Sequence, residues 1–327
     1  MELGLSMSSV RASVVLLTYN QETFVQEALQ SLLEQDYDDL EIVVSDDASK
    51  DGTWQVIQQT FAEYTGNKRV ILNRNEHNLG IVGNYFNAFS VTTGDVIFTA
   101  AGDDVSLPNR CSACIKTWID AGRVVDLIAA DGYDTLLTGE VVGVKETDEL
   151  SQWTFERWSQ KRPFMFGASH MMTRRLLMLR ALDPKLPVED QNLVARALLM
   201  GGAKRLALPL VKHRRGGISQ LQNRFNYQEK RRKLISSASG SLLERAEILR
   251  DAEILEKSID RYLSTQFELG SYIVSILQSE SFNASFKAFI RFSKVPFWKR
   301  IRFFQFAVFP KMNAYLLDLK ASRKYKK

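Results

Sequence analysis

Residues 13–20 read SVVLLTYN, a run of β-branched and aliphatic residues that ends at the polar pair Tyr19–Asn20. A short apolar run of this kind is typical of a strand buried on both faces of a parallel sheet. Residues 41–47 (EIVVSDD) and 95–99 (DVIFT) repeat the pattern, and the latter leads into Gly102–Asp104. The three runs therefore predict central strands of one sheet.

Helical patterns lie between these strands. The spacing of apolar residues predicts helices at Phe24–Glu34, Trp54–Tyr64 and Gly83–Ser90, with a further strand at Val70–Leu72. Repeated strand–helix–strand units with short connections predict an α/β fold with a mostly parallel sheet covered on both faces. Ligands of such sheets bind beyond the carboxyl ends of the strands, so the polar clusters that end the strands should converge on one edge.

Beyond residue 217 the strand–helix alternation stops and long helical patterns follow. We therefore expect an α/β domain at residues 1–217 and a helical region with a basic amphipathic tail at 218–327. The other predicted elements are strands at Val124–Ala130 and Arg205–Val211 and helices at Val188–Met200, Tyr227–Leu263 and Phe267–Leu277.

The chain has 327 residues, of which 45% are apolar and 25% are charged, so a packed core is expected and wholesale disorder is excluded. Its net charge of +5 belongs to the tail, because Ser293–Lys327 contains ten Lys/Arg and one acid, Asp318. No signal peptide and no apolar run of spanning length is visible, so a soluble or peripheral protein is expected.

Cys111 and Cys114 form the one C-x-x-C pair. Such a pair can be a redox centre or half of a zinc site. The zinc site needs two more ligands, and the three histidines are scattered. We therefore favour two free thiols near a helix surface, which agrees with a reducing, cytoplasmic compartment.

Asp103–Asp104 is the first candidate site. Two adjacent carboxylates that end an apolar strand are costly unless a cation shares them. Mg or Mn binds one or two carboxylates together with substrate phosphates, so we predict a metal site at Asp104 with Asp103 in support. The alternative is a solvated turn that caps a helix beginning near Leu107.

Two further strand ends are candidates for nucleotide binding. Thr18, Tyr19 and Asn20 offer a ring for stacking and an amide for pairing with a base; the alternative is a simple turn with Asn20 in a left-handed conformation. Asp46 and Asp47 could accept hydrogen bonds from a base or a ribose. The alternative there is helix capping by the Ser49–Asp51 segment.

Glu189–Asp190 precedes a predicted helix, where capping is the simple explanation. The functional interpretation is a general base that takes a proton from an acceptor hydroxyl. The segment Lys212–Gly217 could be a loop in which His213, Arg214 and Arg215 contact a diphosphate; a basic surface loop is the alternative.

Taken in order, the motifs resemble those of family 2 glycosyltransferases. The resemblance covers residues 10–217 and is carried by these stretches: residues 12–20, 29–37, 41–53 and 75–80, Gly94–Ile97, Gly102–Asp104 and Glu189–Asp190. It implies a GT-A fold, an inverting single displacement, a nucleoside-diphosphate sugar donor (a UDP-sugar is expected) and dependence on Mg or Mn.

The resemblance also implies residue roles. Thr18, Tyr19 and Asp47 would hold the nucleoside, Asp104 with Asp103 would serve the metal and donor, and Asp190 would be the base. Family members often carry a further acid where this chain has Ala101, which puts the number of metal ligands in doubt.

The tail around Phe297–Phe306 mixes aromatic residues with cations, which is typical of a helix lying on an anionic membrane; the alternative is a helix that packs in a core. Together with the resemblance, this tail favours a hexosyltransferase-like enzyme on the inner face of the cell membrane. Such an enzyme would act on a glycan or lipid-linked acceptor in the synthesis of a bacterial surface polysaccharide (O-antigen or capsule). No nucleic-acid module is visible.

Two other classes of protein remain as alternatives. One is a sugar nucleotidyltransferase, although residues 16–22 lack its glycine-rich signature. The other is a non-catalytic nucleotide-sugar-binding or scaffold protein. The absence of G-x-x-x-x-G-K-[ST] and G-x-G-x-x-G removes the main support for P-loop enzymes and dinucleotide oxidoreductases.

Overall fold

A computed structural model of the protein describes residues 10–215 and 226–315. These residues form two compact units, one made of residues 10–215 and 251–257 and the other of residues 226–250 and 258–315. The predicted boundary at residue 217 lies outside the described residues. The unit that contains residues 10–215 is called the first unit below, and the other the second unit.

The first unit alternates strands and helices along most of its length. In chain order its elements are β1 (Ala12–Thr18), α1 (Val25–Leu33), β2 (Leu40–Asp46), α2 (Thr53–Ala62), β3 (Arg69–Arg74), α3 (Gly80–Ser90), β4 (Val96–Ala101), β5 (Val105–Ser106), α4 (Arg110–Asp120), β6 (Leu127–Thr135), β7 (Val141–Lys145), α5 (Phe155–Gln160), β8 (His170–Thr173), α6 (Arg174–Met178), α7 (Asp190–Leu199) and β9 (Ala203–Arg214).

One sheet holds all nine strands in the order β3-β2-β1-β4-β8-β6-β9-β5, with β7 paired to β6. The first four strands of this order are parallel to one another, as their apolar sequences predict. Beyond β4 the sheet is mixed, because β8 runs antiparallel to β4 and β6 while β6 and β9 are parallel. The predicted α/β fold is confirmed.

The register brings the predicted strand ends together. Thr18 pairs with Asp46, and Leu17 pairs with Ala101. The loops that follow are joined as well, since Asp47 N donates to Thr18 O at 2.9 Å and Gly102 N donates to Leu17 O at 2.9 Å. The carboxyl ends of β1, β2 and β4 therefore form one edge, as the strand–helix pattern predicts.

The core of the first unit lies between this sheet and its helices. Along α1 the residues Val25, Ala28, Leu29 and Leu32 are buried, which is the i, i+3, i+4, i+7 spacing of one helical face. Each buried Leu contributes about 1.5–3 kcal/mol relative to an exposed one. Replacing Leu29 by Ala would cost about 2–5 kcal/mol, because a cavity remains at the sheet.

The two cysteines are free, as predicted, but their predicted position near a helix surface is wrong. Both lie on α4 and are buried against the sheet. Burial raises the pKa of the Cys114 thiol to about 12 and raises the pKa of Cys111 as well. A thiol without thiolate character is a poor nucleophile, so the structure gives the pair a packing role.

The second unit is helical. It contains the greater part of α8 (Tyr227–Ile254), followed by α9 (Asp260–Gln278), α10 (Phe282–Arg291) and α11 (Phe297–Val308). The predicted continuous helix at Tyr227–Leu263 is wrong. The helix is interrupted between Ile254 and Asp260, where Glu256 adopts a left-handed φ of 53°. None of the described helices has the length and apolar composition needed to cross a bilayer.

A buried ion pair fixes the end of α8 within the first unit. Arg196, on α7, donates from Nε and Nη2 to the two carboxylate oxygens of Asp251 at 2.8 and 3.0 Å. Both side chains are at most 1% exposed, and Arg180 Nε lies 2.7 Å from the same carboxylate. Bidentate geometry of this kind offsets the cost of removing the charges from water.

Candidate active site

Asp103 and Asp104 lie in the short turn between β4 and β5. The predicted alternative, a cap on a helix near Leu107, is wrong because α4 begins at Arg110 with Asn109 at its N-cap position. Asp104 is buried and Asp103 is partly exposed. The pair thus lies at the strand edge without a capping role.

Arg214 holds this turn in place. Its backbone N–H donates to Asp104 Oδ1 at 3.0 Å, and its Nη1 donates to the Asp103 carbonyl at 2.8 Å. Its guanidinium also contacts Glu27 and lies over the ring of Phe24. Arg214 therefore stabilises the Asp103–Asp104 turn.

The predicted diphosphate loop is in large part a strand in the structure. His213 and Arg214 are the last residues of β9, where they pair with Asp134 and Thr135 of β6. Only Arg215 follows the strand, and its guanidinium pairs with Asp134 at 2.5 Å. The segment 212–214 is strand because its backbone hydrogen-bonds to β6 in register, which a basic composition does not reveal.

Lys145 is a residue of this site that the sequence did not indicate. Its Nζ lies 2.8 Å from His213 Nδ1 and 4.0 Å from Asp134 Oδ1. Because Lys145 can only donate, His213 Nδ1 accepts this hydrogen bond. The Lys145 charge also acts on Asp104, whose pKa it lowers, so an ammonium group lies within electrostatic range of the acidic pair. Its position at the end of β7, opposite β9, depends on strand pairing.

The acidic pair is electrostatically costly as it stands. Burial, together with the charge of Asp103, raises the pKa of Asp104 to about 7 despite the hydrogen bond from Arg214. A bound cation would remove this cost, since it favours the ionised carboxylate. The described residues contain no group of three potential protein ligands, so a metal here would need phosphate oxygens and water to complete its shell. Mg or Mn is commonly bound in that way, and the donor set fits it.

The first nucleotide candidates lie at the end of β1. Thr18 is buried and its hydroxyl contacts Asp46 Oδ1 at 3.3 Å, while Tyr19 is partly exposed. Asn20 has a φ of 53°, the left-handed conformation expected of a turn. Its side chain joins the neighbouring loop, because Asn20 Oδ1 accepts from Lys50 N at 2.8 Å. Of the three side chains, Tyr19 is the aromatic one, and its partial exposure leaves the predicted stacking role open to it.

The two carboxylates that end β2 are both engaged within the protein. Asp46 is buried and accepts hydrogen bonds from Ser49, with Arg74 Nε 3.3 Å away. Asp47 accepts from the backbone N–H groups of Leu79 and Gly80 at 2.7 and 3.0 Å, so it fixes the amino end of α3. The capping alternative also applies, because Asp51 Oδ1 accepts from the Thr53 N–H at the start of α2.

Glu189 and Asp190 occupy different environments at the start of α7. Glu189 is 6% exposed, and its Oε2 is buried without a hydrogen-bond partner among the described residues. Burial, with a smaller contribution from the charge of Asp190, raises the pKa of Glu189 to about 7. Asp190 is partly exposed, and its Oδ1 accepts from Gln191 N at 2.6 Å. The Glu189 side chain does not cap the helix.

The segment Phe166–Gly167 connects this pair to the Asp103–Asp104 side of the site. The Phe166 ring meets the His213 ring edge-on at 5.3 Å between centroids. A Cβ on Gly167 would lie 3.5 Å from Asp190 Cβ, so the chain passes the base candidate closely. No local pattern in the sequence indicates this segment, because its role depends on packing between distant elements.

Residues 13–178 of the chain match the family model described as Glycosyl transferase family 2, which is just over half of the sequence. The chain belongs to the family 2 glycosyltransferases. This confirms the resemblance of the sequence motifs to that family, although Glu189–Asp190 and the residues after it lie beyond the matched range.

Several curated relatives share part of this family 2 chain. It is 36% identical over 103 residues to EpsE of Bacillus subtilis. It is 33% identical over 120 residues to the abequosyltransferase RfbV of Salmonella typhimurium, and 31% identical over 106 residues to the GalNAc(5)-diNAcBac-PP-undecaprenol beta-1,3-glucosyltransferase of Campylobacter jejuni. These matches cover 32%, 36% and 32% of this chain, and 36%, 34% and 34% of those relatives. The chain thus spans about a third of the length of each relative.

Solved structures agree in fold. The S. aureus TarS 1–349 structure in complex with UDP aligns with a TM-score of 0.55 at 17% identity, over 96% of this chain and 92% of that one. The mannosyltransferase PcManGT from Pyrobaculum calidifontis, in complex with GDP-Man and Mn2+, aligns with a TM-score of 0.52 at 16% identity, over 98% and 89%. At this identity the likeness supports the GT-A-like fold of the family 2 chain and nothing finer.

Proposed function

We propose that the protein is an inverting glycosyltransferase that moves a sugar from a nucleoside-diphosphate sugar, expected to be a UDP-sugar, to an acceptor hydroxyl. One observation carries the proposal. An acidic pair at the end of β4, with Asp104 buried and the cations Arg214 and Lys145 beside it, lies in the same unit as a second carboxylate pair at Glu189–Asp190. A transferase needs both parts, since one must hold the anionic donor and the other must accept a proton.

Asp190 is the proposed base. In the single displacement, its carboxylate takes the proton of the acceptor hydroxyl as the acceptor oxygen forms a bond to the anomeric carbon. The bond from that carbon to the donor phosphate oxygen breaks, and the nucleoside diphosphate leaves with the electron pair. Asp190 is suited to this step because it is partly exposed next to Gly167, which leaves room for an incoming hydroxyl.

Glu189 is proposed to differ from Asp190 in protonation. Its pKa of about 7, raised by burial, keeps a large share of Glu189 neutral at neutral pH. A neutral neighbour avoids a second buried charge beside the base, and two carboxyls with different environments can take different roles. Glu189 would therefore position the start of α7 while Asp190 exchanges the proton.

Lys145, beside Asp103–Asp104, is proposed to contact the donor diphosphate. Lys145 provides an ammonium group at the pair, and Arg214 fixes the geometry of the turn. Asp104 and Asp103 would hold Mg or Mn, which when bound neutralises charge on the leaving diphosphate. The Mn2+ in the PcManGT complex supports this assignment. Tyr19 would stack on the base, and Thr18, Asn20, Asp46 and Asp47 would shape the nucleoside side of the site.

The acceptor is proposed to be a glycan carried by a lipid, in synthesis of a bacterial surface polysaccharide. Support comes from the relatives, one an abequosyltransferase and another named for a PP-undecaprenol acceptor. An enzyme acting on such an acceptor would work at the cytoplasmic face of the membrane as a peripheral protein.

The test is sugar transfer from a panel of UDP- and GDP-sugars to a lipid-linked acceptor, with and without EDTA. Transfer should be lost with EDTA or in Asp104→Ala, and Asp190→Asn should abolish transfer while nucleotide affinity stays within about threefold of wild type. Asp120→Asn, an exposed acid at the end of α4, is the control and should keep its activity. Full activity in EDTA would remove the metal from the proposal. Nucleotide binding without turnover of any donor would favour the scaffold alternative.

A further inference from the structure

The second unit carries an exposed apolar surface on α10 and the start of α11, here called the aromatic ridge. Its members are large apolar side chains that are close to half exposed or more: Phe282 (59%), Phe286 (46%), Ile290 (58%), Phe297 (60%) and Trp298 (62%). The first three recur every four residues and so lie along one side of α10. The opposite side of the same helix is buried at Ser285 and Ala288.

Ring contacts make the ridge continuous. Phe282 and Phe286 stack with their centroids 6.2 Å apart, and Phe289 meets Phe297 edge-on at 6.0 Å, which joins α10 to α11. Single exposed apolar residues are normal on protein surfaces, but a contiguous patch of this kind marks an interaction site. Phe304 packs beneath, in edge-on contact with Phe286.

The rest of α11 is not part of the aromatic ridge. Phe303, Phe304 and Phe306 pack against the buried cluster around Tyr272 and Ile276. The membrane interpretation of the whole Phe297–Phe306 helix is therefore too broad, and core packing applies to its second half. The exposed aromatics lie instead on α10, which the sequence did not single out, and at the start of α11.

The charge along α10, α11 and the residues that follow them is positive, and the nearest acid in sequence, Glu280, precedes α10. Residues 281–315 contain seven Lys/Arg and no Asp or Glu: Lys287, Arg291, Lys294, Lys299, Arg300, Arg302 and Lys311. Arg300 lies over the rings of Phe289 and Phe297, and Lys299 lies over the Trp298 ring, so cations border the apolar side chains directly. The sequence of residues 316–327 adds five more Lys/Arg and one Asp.

We propose that the aromatic ridge docks on an anionic lipid bilayer, with its aromatic side chains among the acyl chains near the headgroups and its cations on the lipid phosphates. An amphipathic surface with cations beside large apolar residues has the chemistry that such a membrane binds. A second copy of the chain is a poorer occupant, because its ridge would bring seven further positive charges against the first seven. The inference rests on the proposed function only in that a lipid-linked acceptor explains why the protein would bind a membrane. Membrane binding by the ridge does not require the sugar donor.

The test is co-sedimentation of the full chain with vesicles of phosphatidylcholine alone and of phosphatidylcholine mixed with phosphatidylglycerol. Wild type should bind the anionic vesicles, and added salt should weaken the binding. The double variant Phe286→Ser with Ile290→Ser should reduce the partition coefficient by about tenfold or more. A matched control is Val124→Ser with Leu137→Ser, which removes two similarly exposed apolar side chains of the first unit and should leave binding unchanged.

A second variant tests the charge, since Lys287→Glu with Arg291→Glu should abolish the preference for anionic vesicles. Failure of wild type to bind either vesicle, or equal binding by wild type and the serine variant, would overturn the proposal. So would a wild-type dimer in sedimentation velocity that the serine variant dissociates, since it identifies a second copy as the occupant. Sugar transfer to the lipid-linked acceptor dispersed in detergent, without vesicles, should be the same in wild type and both variants. Its absence in wild type would count against the proposed reaction and not against the surface.

Discussion

Glu189→Gln should stabilise the protein at alkaline pH. Glu189 is 6% exposed, and burial raises its pKa from an ordinary 4.5 to about 7. A folded-state pKa above the unfolded value means that the folded protein binds the proton more tightly. The stabilising contribution of the protonated carboxyl is complete below pH 4.5 and is lost as the pH rises through 7.

The magnitude follows from the size of the shift. About 2.5 pKa units at about 1.36 kcal/mol each give about 3 kcal/mol of unfolding free energy that wild type loses between low and high pH. The glutamine amide has the shape of the protonated acid and never ionises. At pH 8 the variant should therefore be more stable than wild type by about 3 kcal/mol, and near pH 4.5 the two should be equal within about 0.5 kcal/mol.

The assay is urea unfolding of both proteins from pH 4.5 to pH 8, followed by tryptophan fluorescence, and the quantity compared is the difference between them. Glu34→Gln, an exposed carboxyl on the C-terminal side of α1, is the control and should change stability by less than about 0.5 kcal/mol at every pH. In the Asp190→Asn background the divergence should begin at the same pH, near 4.5, but level off at a lower pH and reach a smaller final size, because the charge of Asp190 helps to raise the folded-state pKa of Glu189.

A difference that does not change with pH, or a variant that is less stable than wild type at pH 8, would refute the reasoning. Either result would show that Glu189 is ionised and solvated or paired in the folded protein. The stabilised variant should still lose transfer activity if Glu189 positions the start of α7 beside Asp190, which would make this carboxyl a site at which stability is traded for function.

Three further outcomes are expected. Asp251→Ala should lower the unfolding free energy in urea by about 3–5 kcal/mol because it leaves Arg196 buried without its partner, whereas Asp120→Ala, at an exposed pair, should cost less than about 1 kcal/mol. Lys145→Met should weaken nucleoside-diphosphate binding in calorimetry by about tenfold if the ammonium contacts the diphosphate, and Lys116→Met should not change it; equal affinities would remove that contact. Both thiols should resist Ellman's reagent in the folded protein and react in urea, since burial raises their pKa; rapid labelling of the native protein would contradict their packing role.

Local signals in the sequence predicted most of the first unit. The apolar runs at β1, β2 and β4 have no polar alternation, which predicted strands buried on both faces with their polar ends at one edge. The predicted helix at Tyr227–Leu263 shows the limit of periodicity. A short break with one left-handed residue, Glu256, leaves the apolar pattern on either side almost unchanged.

The site residues that lie next to a predicted strand end or helix start were predicted. Those that reach the site only through pairing between distant strands were missed. Asp104 and Asp190 were found from their positions next to predicted elements. Lys145 was not, because its partner His213 is 68 residues away and they meet only when β7 and β9 both lie beside β6. Gly167 was missed for the same reason.

The parallel core, the polar strand ends and the turn at Asn20 follow from local sequence, because backbone sterics and the two-residue period of a strand act over a few neighbouring residues. The roles of the charged groups depend on the folded arrangement. Arg214 is a strand residue that holds Asp104 from 110 positions away, and Glu189 is buried while Asp190 is partly exposed. Charge and pKa depend on which distant groups burial brings close and how much water it removes, and neither quantity is encoded in a residue's own sequence neighbourhood.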